Sequence, residues 1–532
     1  MNELLTKINS AVIGERTQLK TPFGLKPLVY ADYTASGRAL DFVEQYINNR
    51  VLPFYANTHS ESSFTGRQST LLRESARKAI KKSVGADEDH AVVFCGSGAT
   101  TGINKLIRLL GLDQPCVAAQ QPVVFIGPYE HHSNELPWRE SCAEVVTIPL
   151  DACGHIDVAV LEEKLEQYKD RALKIASFSA ASNVTGIISP VASITALVHR
   201  YGFLSFWDYA AGGPYLPINV SGSGQDDSID AAFISPHKFI GGPGTPGVLV
   251  VRKSMITATS PAMPGGGTVS FVAPNRHRYI ECLERREEGG TPAIVESIRA
   301  GVVFDLKDRV GTDTIHARET SHLNRAFNQW GRNEKIDILG GTEAQRLSIV
   351  SLRITHDGKD LHYGFVVAAL NDVFGIQARG GCSCAGPYGH SLLGISESDS
   401  EAIEAANLAG DMVLRPGWVR LNFNYFLDTE TVDYLINAID WIATHGVKLL
   451  PYYQFDINSG TWNFLGQRVD MPVKLTDYLA SDLATEKVEL DFQGCVDAVS
   501  KRLSDVALMA KDVELKAESS VLRWFVQPSE VI

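Results

Sequence analysis

The sequence predicts an α/β fold, a mostly parallel sheet in a large domain followed by a smaller α+β unit. Three observations predict it. Short β-branched runs alternate with longer amphipathic patterns over roughly the first 450 residues, as expected for βαβ units. At 532 residues the chain exceeds one ordinary core of about 150 residues. Around Thr291 the alternation gives way to long helical stretches and then to a second group of strands. The expected division is an N-terminal segment 1–28, a large domain 29–306, a small α+β domain 307–447 and a C-terminal extension 448–532.

Taken in order, the expected strands of the first domain are AVVFC ending at Cys95, VVFIG ending at Gly127, KIASFS from Lys174, FLSFWD ending at Asp208, AAFIS from Ala231 and GVLVV from Gly247. Between them, Asp157 to Asp170 carries apolar residues at Val158, Val160, Leu161 and Leu165, close to a helix stripe. Helices are expected over Pro292 to Leu306 and Asp313 to Gly331. The second unit contributes strands at LSIVSLRI from Leu347 and WVRLNF from Trp418, and helices near 361–374, 400–413 and 429–444. Beyond His445 an amphipathic helix near 492–511 and a strand-like VLRWFVQ read as an addition packed on the core.

Composition narrows the function classes. Hydrophobic residues at 44% and charged residues at 21% are globular values, not those of a disordered chain. The net charge of −13 repels a phosphate backbone at long range, so no nucleic-acid partner is expected. The N-terminus has no signal-like apolar core and no apolar run reaches membrane-span length, so a cytoplasmic protein without a membrane partner is expected. Eight cysteines in such a chain are too sparse for a disulfide scaffold; only Cys382 and Cys384 lie close together.

The candidate chemistry starts at SPHKFIGGPGTPG. Lys238 stands between a strand end and a Gly/Pro-rich turn, where its amine can form a Schiff base with a carbonyl cofactor; a surface turn lysine is the alternative. Asp208 ends an apolar strand, where a carboxylate can keep a pyridine nitrogen protonated or merely cap a turn. In VVFCGSGATTGIN, the backbone N–H groups of Gly98, Ala99 and Thr100 at a helix N-terminus suit a phosphate. His131 and His132 follow a strand without a third ligand at helical spacing, so no metal is expected and one imidazole is free to stack on an aromatic cofactor.

The series GATTGIN, EHHSN, ASNVTG, WDYAAG, SPHK, EEGGTP, RGGCSCAGP and VRLNF resembles the class V aminotransferase family, and within it the cysteine desulfurase and selenocysteine lyase branch, from about Val29 to Ile442. The resemblance implies a fold type I enzyme with a seven-stranded sheet and pyridoxal 5'-phosphate as cofactor. It implies Lys238 as the Schiff-base lysine, Asp208 as the pyridinium partner, His131 stacked on the ring and Asn183 near both ring and substrate. Ala99, Thr100, Ser235 and His237 would hold the phosphate, with Thr291 donated by a second subunit of a homodimer. Arg420 would grip the substrate carboxylate, helped by Arg379, and Asn57 and His59 would lie on the substrate side.

Two points refine the resemblance. The family pattern Asp-x-Ala-Gln/His is here Asp208-Tyr209-Ala210-Ala211, and alanine brings no donor for the ring oxygen. In Arg379-Gly-Gly-Cys382-Ser383-Cys384-Ala-Gly-Pro387, Cys384 matches the nucleophile that removes sulfur from L-cysteine and keeps it as a persulfide for an acceptor protein. The Cys-x-Cys pair is also similar to that of molybdenum-cofactor sulfurases. Other class V chemistry on another amino acid (transamination, epimerisation or β-elimination) and a non-catalytic sulfur-carrier scaffold stay open at this point.

Overall fold

A computed structural model describes residues 3–58, 60–117, 120–467, 475–479 and 486–532. The first unit comprises residues 1–13, 34–317 and 344–347, and the second residues 14–33, 318–343 and 348–532. The division therefore differs from the expected one. The segment 14–33 and the described residues after 447 belong to the second unit rather than standing apart.

In the first unit, helix α1 (Phe64–Ser83) precedes strand β1 (His90–Cys95) and helix α2 (Gly98–Leu109). Strands β2 (Val123–Ile126), β3 (Glu144–Thr147), β4 (Lys174–Ser179), β5 (Leu204–Asp208), β6 (Ala231–Ile234) and β7 (Gly247–Arg252) complete one sheet. The spatial order is β1-β7-β6-β5-β4-β2-β3. β7 alone runs against the other six strands, so the sheet is mostly parallel, as the apolar runs predicted. The one strand of this sheet that the sequence did not predict is β3, whose half-buried edge position leaves a weak hydrophobic signal in EVVT. The expected helix at 157–170 spans Val158–Tyr168, with Asp157 accepting from the N–H groups of Ala159 and Val160 as its N-cap.

Helix α3 (Ile294–Val310) packs along α1 so closely that a Cβ on Gly301 would lie 2.5 Å from Ala76, so only glycine permits the approach. Because β1 is an edge strand, its outward N–H and C=O groups need partners from elsewhere. Glu284 accepts from the Val92 N–H at 3.3 Å, Glu288 accepts from the Phe94 N–H at 2.7 Å, and Arg77 donates to the Val92 carbonyl. Side chains thus finish the sheet where no strand does.

The second unit is built on an antiparallel sheet of β8 (Ile336–Ile338), β9 (Ile349–His356), β10 (Arg379–Gly381) and β11 (Trp418–Asn422), in the order β8-β9-β11-β10, with the short Lys359–Asp360 strand also paired to β9. Helices α4 (Tyr363–Phe374) and α5 (Gly386–Leu393) precede and follow β10. Val29–Tyr30 pairs in parallel with Ile376–Gln377, which ties the N-terminal segment to this unit.

The C-terminal region is part of the same core. Its hairpin Tyr453–Asp456/Thr461–Phe464 sends Trp462 Nε1 to His362 Nδ1 at 3.1 Å and Tyr453 Oη to Asp372 Oδ2 at 2.9 Å. The run VLRWFVQ forms no strand: it makes a single bridge, Asp360 to Phe525. Instead Trp524 stacks on the His362 ring at 5.2 Å and Phe525 meets it edge-on at 5.1 Å. Burial of aromatic surface outcompetes a β-ladder there. No helix among the described residues is long and apolar enough to cross a membrane.

Candidate active site

Ladder directions place the ends of β1, β2, β4, β5 and β6 on one edge of the first sheet. Open α/β sheets bind ligands beyond such strand ends. Beyond them stand Gly98 to Thr100, Glu130 and His131, Asn183, Asp208, and Ser235 to Lys238.

The phosphate position comes first. Gly98 has φ +56°, and a Cβ on it would lie 2.8 Å from Ser235 Oγ and 3.1 Å from the His237 ring, so this cradle excludes any larger residue. Ser235 Oγ accepts from the Ala99 N–H at 2.9 Å, and Thr100 Oγ1 meets Ser133 Oγ at 2.7 Å. Ser97, at the cap position, gives the first turn of α2 no side-chain bond. A helix N-terminus, two hydroxyls and a glycine cradle fit a phosphate. Burial and the adjacent Lys238 charge push the His237 pKa down to about 4, so this imidazole is neutral at physiological pH.

Lys238 ends a single 3₁₀ turn, Pro236–Lys238, directly after β6. Asp208 is 3% exposed and accepts from the Ala210 N–H at 2.7 Å; burial raises its pKa, while that bond and the Lys238 charge oppose the rise. A buried carboxylate and an amine on adjacent strand ends suit a pyridine ring held as an electron sink. His131 Nδ1 accepts from the Ser133 N–H at 3.0 Å, which leaves the proton of its neutral form on Nε2. Ser133 therefore joins His131 to Thr100. Asn183 is buried in the turn after β4, and Ala211 is buried at 8% exposure. Thr291 is exposed and accepts from Asn57 Nδ2 at 3.3 Å. His59 lies outside the described residues.

Glu130 escaped the sequence reading. It is 4% exposed and accepts from Ser179 N–H, Ser179 Oγ, Asn134 Nδ2 and Gly127 N–H. Burial, with a contribution from Asp208, pushes its carboxyl up to about 7 against the pull of those bonds. It fixes the chain just before His131. Only its place beside the two histidines could have signalled this.

The second unit holds Arg420, Arg379 and Cys384. Arg379 on β10 stands directly opposite Arg420 on β11. Like charges so placed repel, and one carboxylate offsets them. Asp32 Oδ1 lies 3.0 Å from Arg420 Nη2, and Asp32 Oδ2 lies 3.9 Å from Arg379 Nη1. Burial, then Arg379, pull the Arg420 pKa below its ordinary value, while Asp32 and Cys384 act the other way. Asp32 is a second residue that sequence reasoning missed.

Cys382 to Ala385 forms a tight turn in which the Ala385 N–H donates to the Cys382 carbonyl at 3.2 Å. Ser383 and Cys384 sit at φ +54° and +57°, the signature of a type I′ turn normally held by Gly, Asn or Asp. Non-glycine residues there cost about 1–2 kcal/mol each, strain of the kind kept at functional sites. Both cysteines are free thiols and half-buried. Among the described residues no group of three or more His, Cys, Asp or Glu is placed to hold a metal.

The class-V aminotransferase family profile matches residues 29–435. The chain belongs to the class-V aminotransferase family. It is a pyridoxal-phosphate-dependent enzyme of fold type I. It is 29% identical over 68% of its length to a probable cysteine desulfurase of Halalkalibacterium halodurans, covering 85% of that protein. A cysteine desulfurase of Haloferax volcanii is 25% identical over 78% of the chain and 89% of its own length. Among solved structures, an apo cysteine desulfurase from Thermococcus onnurineus aligns with a TM-score of 0.65 at 24% identity, over 78% of this chain and 95% of that one. A cysteine desulfurase from Escherichia coli aligns at 0.62 and 23%, over 77% and 93%.

Proposed function

We propose that this class-V enzyme is a homodimeric cysteine desulfurase that takes sulfur from L-cysteine onto Cys384. The observation that carries the reading is the strained Cys382–Ala385 turn, whose Cys384 thiol acts on Arg420, the residue Arg379 faces across the ladder. The named desulfurase relatives support it.

Bound pyridoxal phosphate supplies an electron sink for the pair released at the substrate α-carbon. Arg420, with Arg379 opposite it, takes the substrate carboxylate, a planar anion matched to the guanidinium fork. Lys238 would take the α-proton on Nζ, and Asp208 would keep positive charge at the ring nitrogen of the bound cofactor. His131 carries protons through Nε2, because Ser133 occupies Nδ1. The Cys384 thiolate attacks the cysteine sulfur; an S–S bond forms, the Cβ–S bond breaks, and its electron pair stays on Cβ, which takes a proton to give alanine. Exposed Thr291 would help to hold the phosphate bound by a second copy, and an acceptor protein would receive the sulfur in the cytoplasm.

The test is Cys384→Ser in the cofactor-loaded enzyme. The cofactor absorbance should persist while alanine and sulfide formation from cysteine disappear. Full activity in that variant would remove the desulfurase reading.

A further inference from the structure

The cysteine turn is supported from behind by the C-terminal region. Strand β10 ends at Gly381, one residue before that turn, and lies at the edge of its sheet with a ladder to β11 alone. Arg379 pairs with Arg420 and Gly380 with Val419, so alternation puts the two arginines on one face of the sheet and Gly380 on the other. On that second face lies the ring of Tyr363, the first residue of α4. A Cβ on Gly380 would stand 2.9 Å from Tyr363 Cδ2, and one on Gly417, just before β11, 2.8 Å from Tyr363 Cε1. The strand therefore rests on the ring with no side chain of its own between them. Burial pushes the Tyr363 hydroxyl up to about 12; Arg415 opposes the rise and Cys382 adds to it, so the ring also senses the first residue of the turn.

Trp524 holds Tyr363 in place. The two rings are stacked, 6.0 Å apart and 14° from parallel, and the same indole covers His362. Trp524 is itself tied down at three points. Its Nε1 donates to the Leu414 carbonyl at 3.0 Å, its carbonyl accepts from the Asp360 N–H at 3.3 Å, and the Val526 N–H donates to the Asp360 carbonyl at 2.9 Å. An edge strand with one ladder partner, leading into a turn with two residues at positive φ, keeps its shape only where surrounding contacts over-determine it.

We propose that the C-terminal region is a positioning element of the site: Trp524, through Tyr363, seats β10 and so holds the strained turn that presents Cys384. This role rests on the reading of Cys384 as the nucleophile. Arg420 stands on the inner strand β11 and is paired with Asp32, so it keeps its seat without the indole. Loss of Trp524 should therefore impair the step at Cys384 and spare the grip on the substrate carboxylate.

The experiment uses the full-length cofactor-loaded enzyme. Amide hydrogen exchange followed by mass spectrometry should be about tenfold faster over 379–385 in Trp524→Ala than in wild type, the effect of one lost aromatic stack. In alanine formation from cysteine, kcat should fall about tenfold while KM stays within about twofold. Trp524→Phe, which keeps a flat ring on Tyr363, should recover most of both. Phe374→Leu is the control: it opens the buried core of the same unit at the other end of α4, about 16 Å from Tyr363, and should leave both readouts unchanged. Exchange over 379–385 that is unaltered in Trp524→Ala, or that quickens equally in Phe374→Leu, overturns the proposal. So does a rise in KM at unchanged kcat. No alanine from wild type would remove the desulfurase reading, and exchange, which needs no turnover, would still decide whether Trp524 seats the turn.

Discussion

Glu288 is the residue whose loss the structure values most clearly. Its side chain is 4% exposed and lies between Arg73 and Arg77, themselves 8% and 5% exposed. Oε1 takes Arg77 Nη1 at 2.9 Å and the Phe94 N–H at 2.7 Å; Oε2 takes Arg77 Nη2 at 2.9 Å and Arg73 Nη2. In Glu288→Gln, whichever way the amide turns, its NH2 faces two donors, and no anion remains between two buried guanidinium groups. Breaking a buried pair in this way costs about 3–5 kcal/mol, a large share of the 5–15 kcal/mol that holds most domains. Urea unfolding at pH 7 should show that loss. The pH dependence gives a second check. Burial raises the Glu288 pKa, but Arg77 and Arg73 outweigh it and hold the group below its ordinary 4.5. Its stabilisation is therefore present above pH 4.5 and lost as the pH falls through the lowered value, so the gap between wild type and variant should close in acid. A loss under about 1 kcal/mol at pH 7 would refute the reasoning, since it would equal an exposed pair.

Asp208→Asn keeps the shape of the β5 terminus but removes the carboxylate charge that the proposed mechanism sets against the cofactor's ring nitrogen. It should retain cofactor colour and lose about a hundredfold or more in alanine formation, whereas a loss of only about twofold would deny the carboxylate a catalytic role. His362, buried and accepting through Nδ1 from Gly364 N–H and Trp462 Nε1, has its pKa pushed down to about 4 by burial. Its contribution is whole above pH 6.5 and lost as the pH falls through 4, about 3 kcal/mol in all; His362→Gln should flatten that part of an acid titration monitored by tryptophan fluorescence. Phe525→Ala should cost about 3–5 kcal/mol by urea unfolding, because the ring is fully buried; a cost near zero would mean that the C-terminal region is only draped over the second unit.

The sheet was legible, and the candidate cofactor residues could be picked out, because their signals are local. Strands such as VVFIG and AAFIS are buried on both faces and read as continuous apolar runs, and the strand-end Asp208 and Lys238 follow from them. The edge strand EVVT escaped because half of its surface faces solvent. VLRWFVQ misled for the opposite reason, since aromatic residues favour strands and His362 cores alike.

The sequence by itself determined the family, the parallel sheet and the identity of the lysine, aspartate, arginine and cysteine candidates, since each sits in a short motif whose chemistry is set by neighbours in the chain. The tertiary structure alone decided which distant residues complete the site and the sheet. Asp32 reaches Arg420 across 388 residues, and Glu288 reaches the edge-strand Phe94 across 194. Charge and hydrogen bonding act over a few ångströms of space, and no spacing along the chain records which distant residues folding brings within that range.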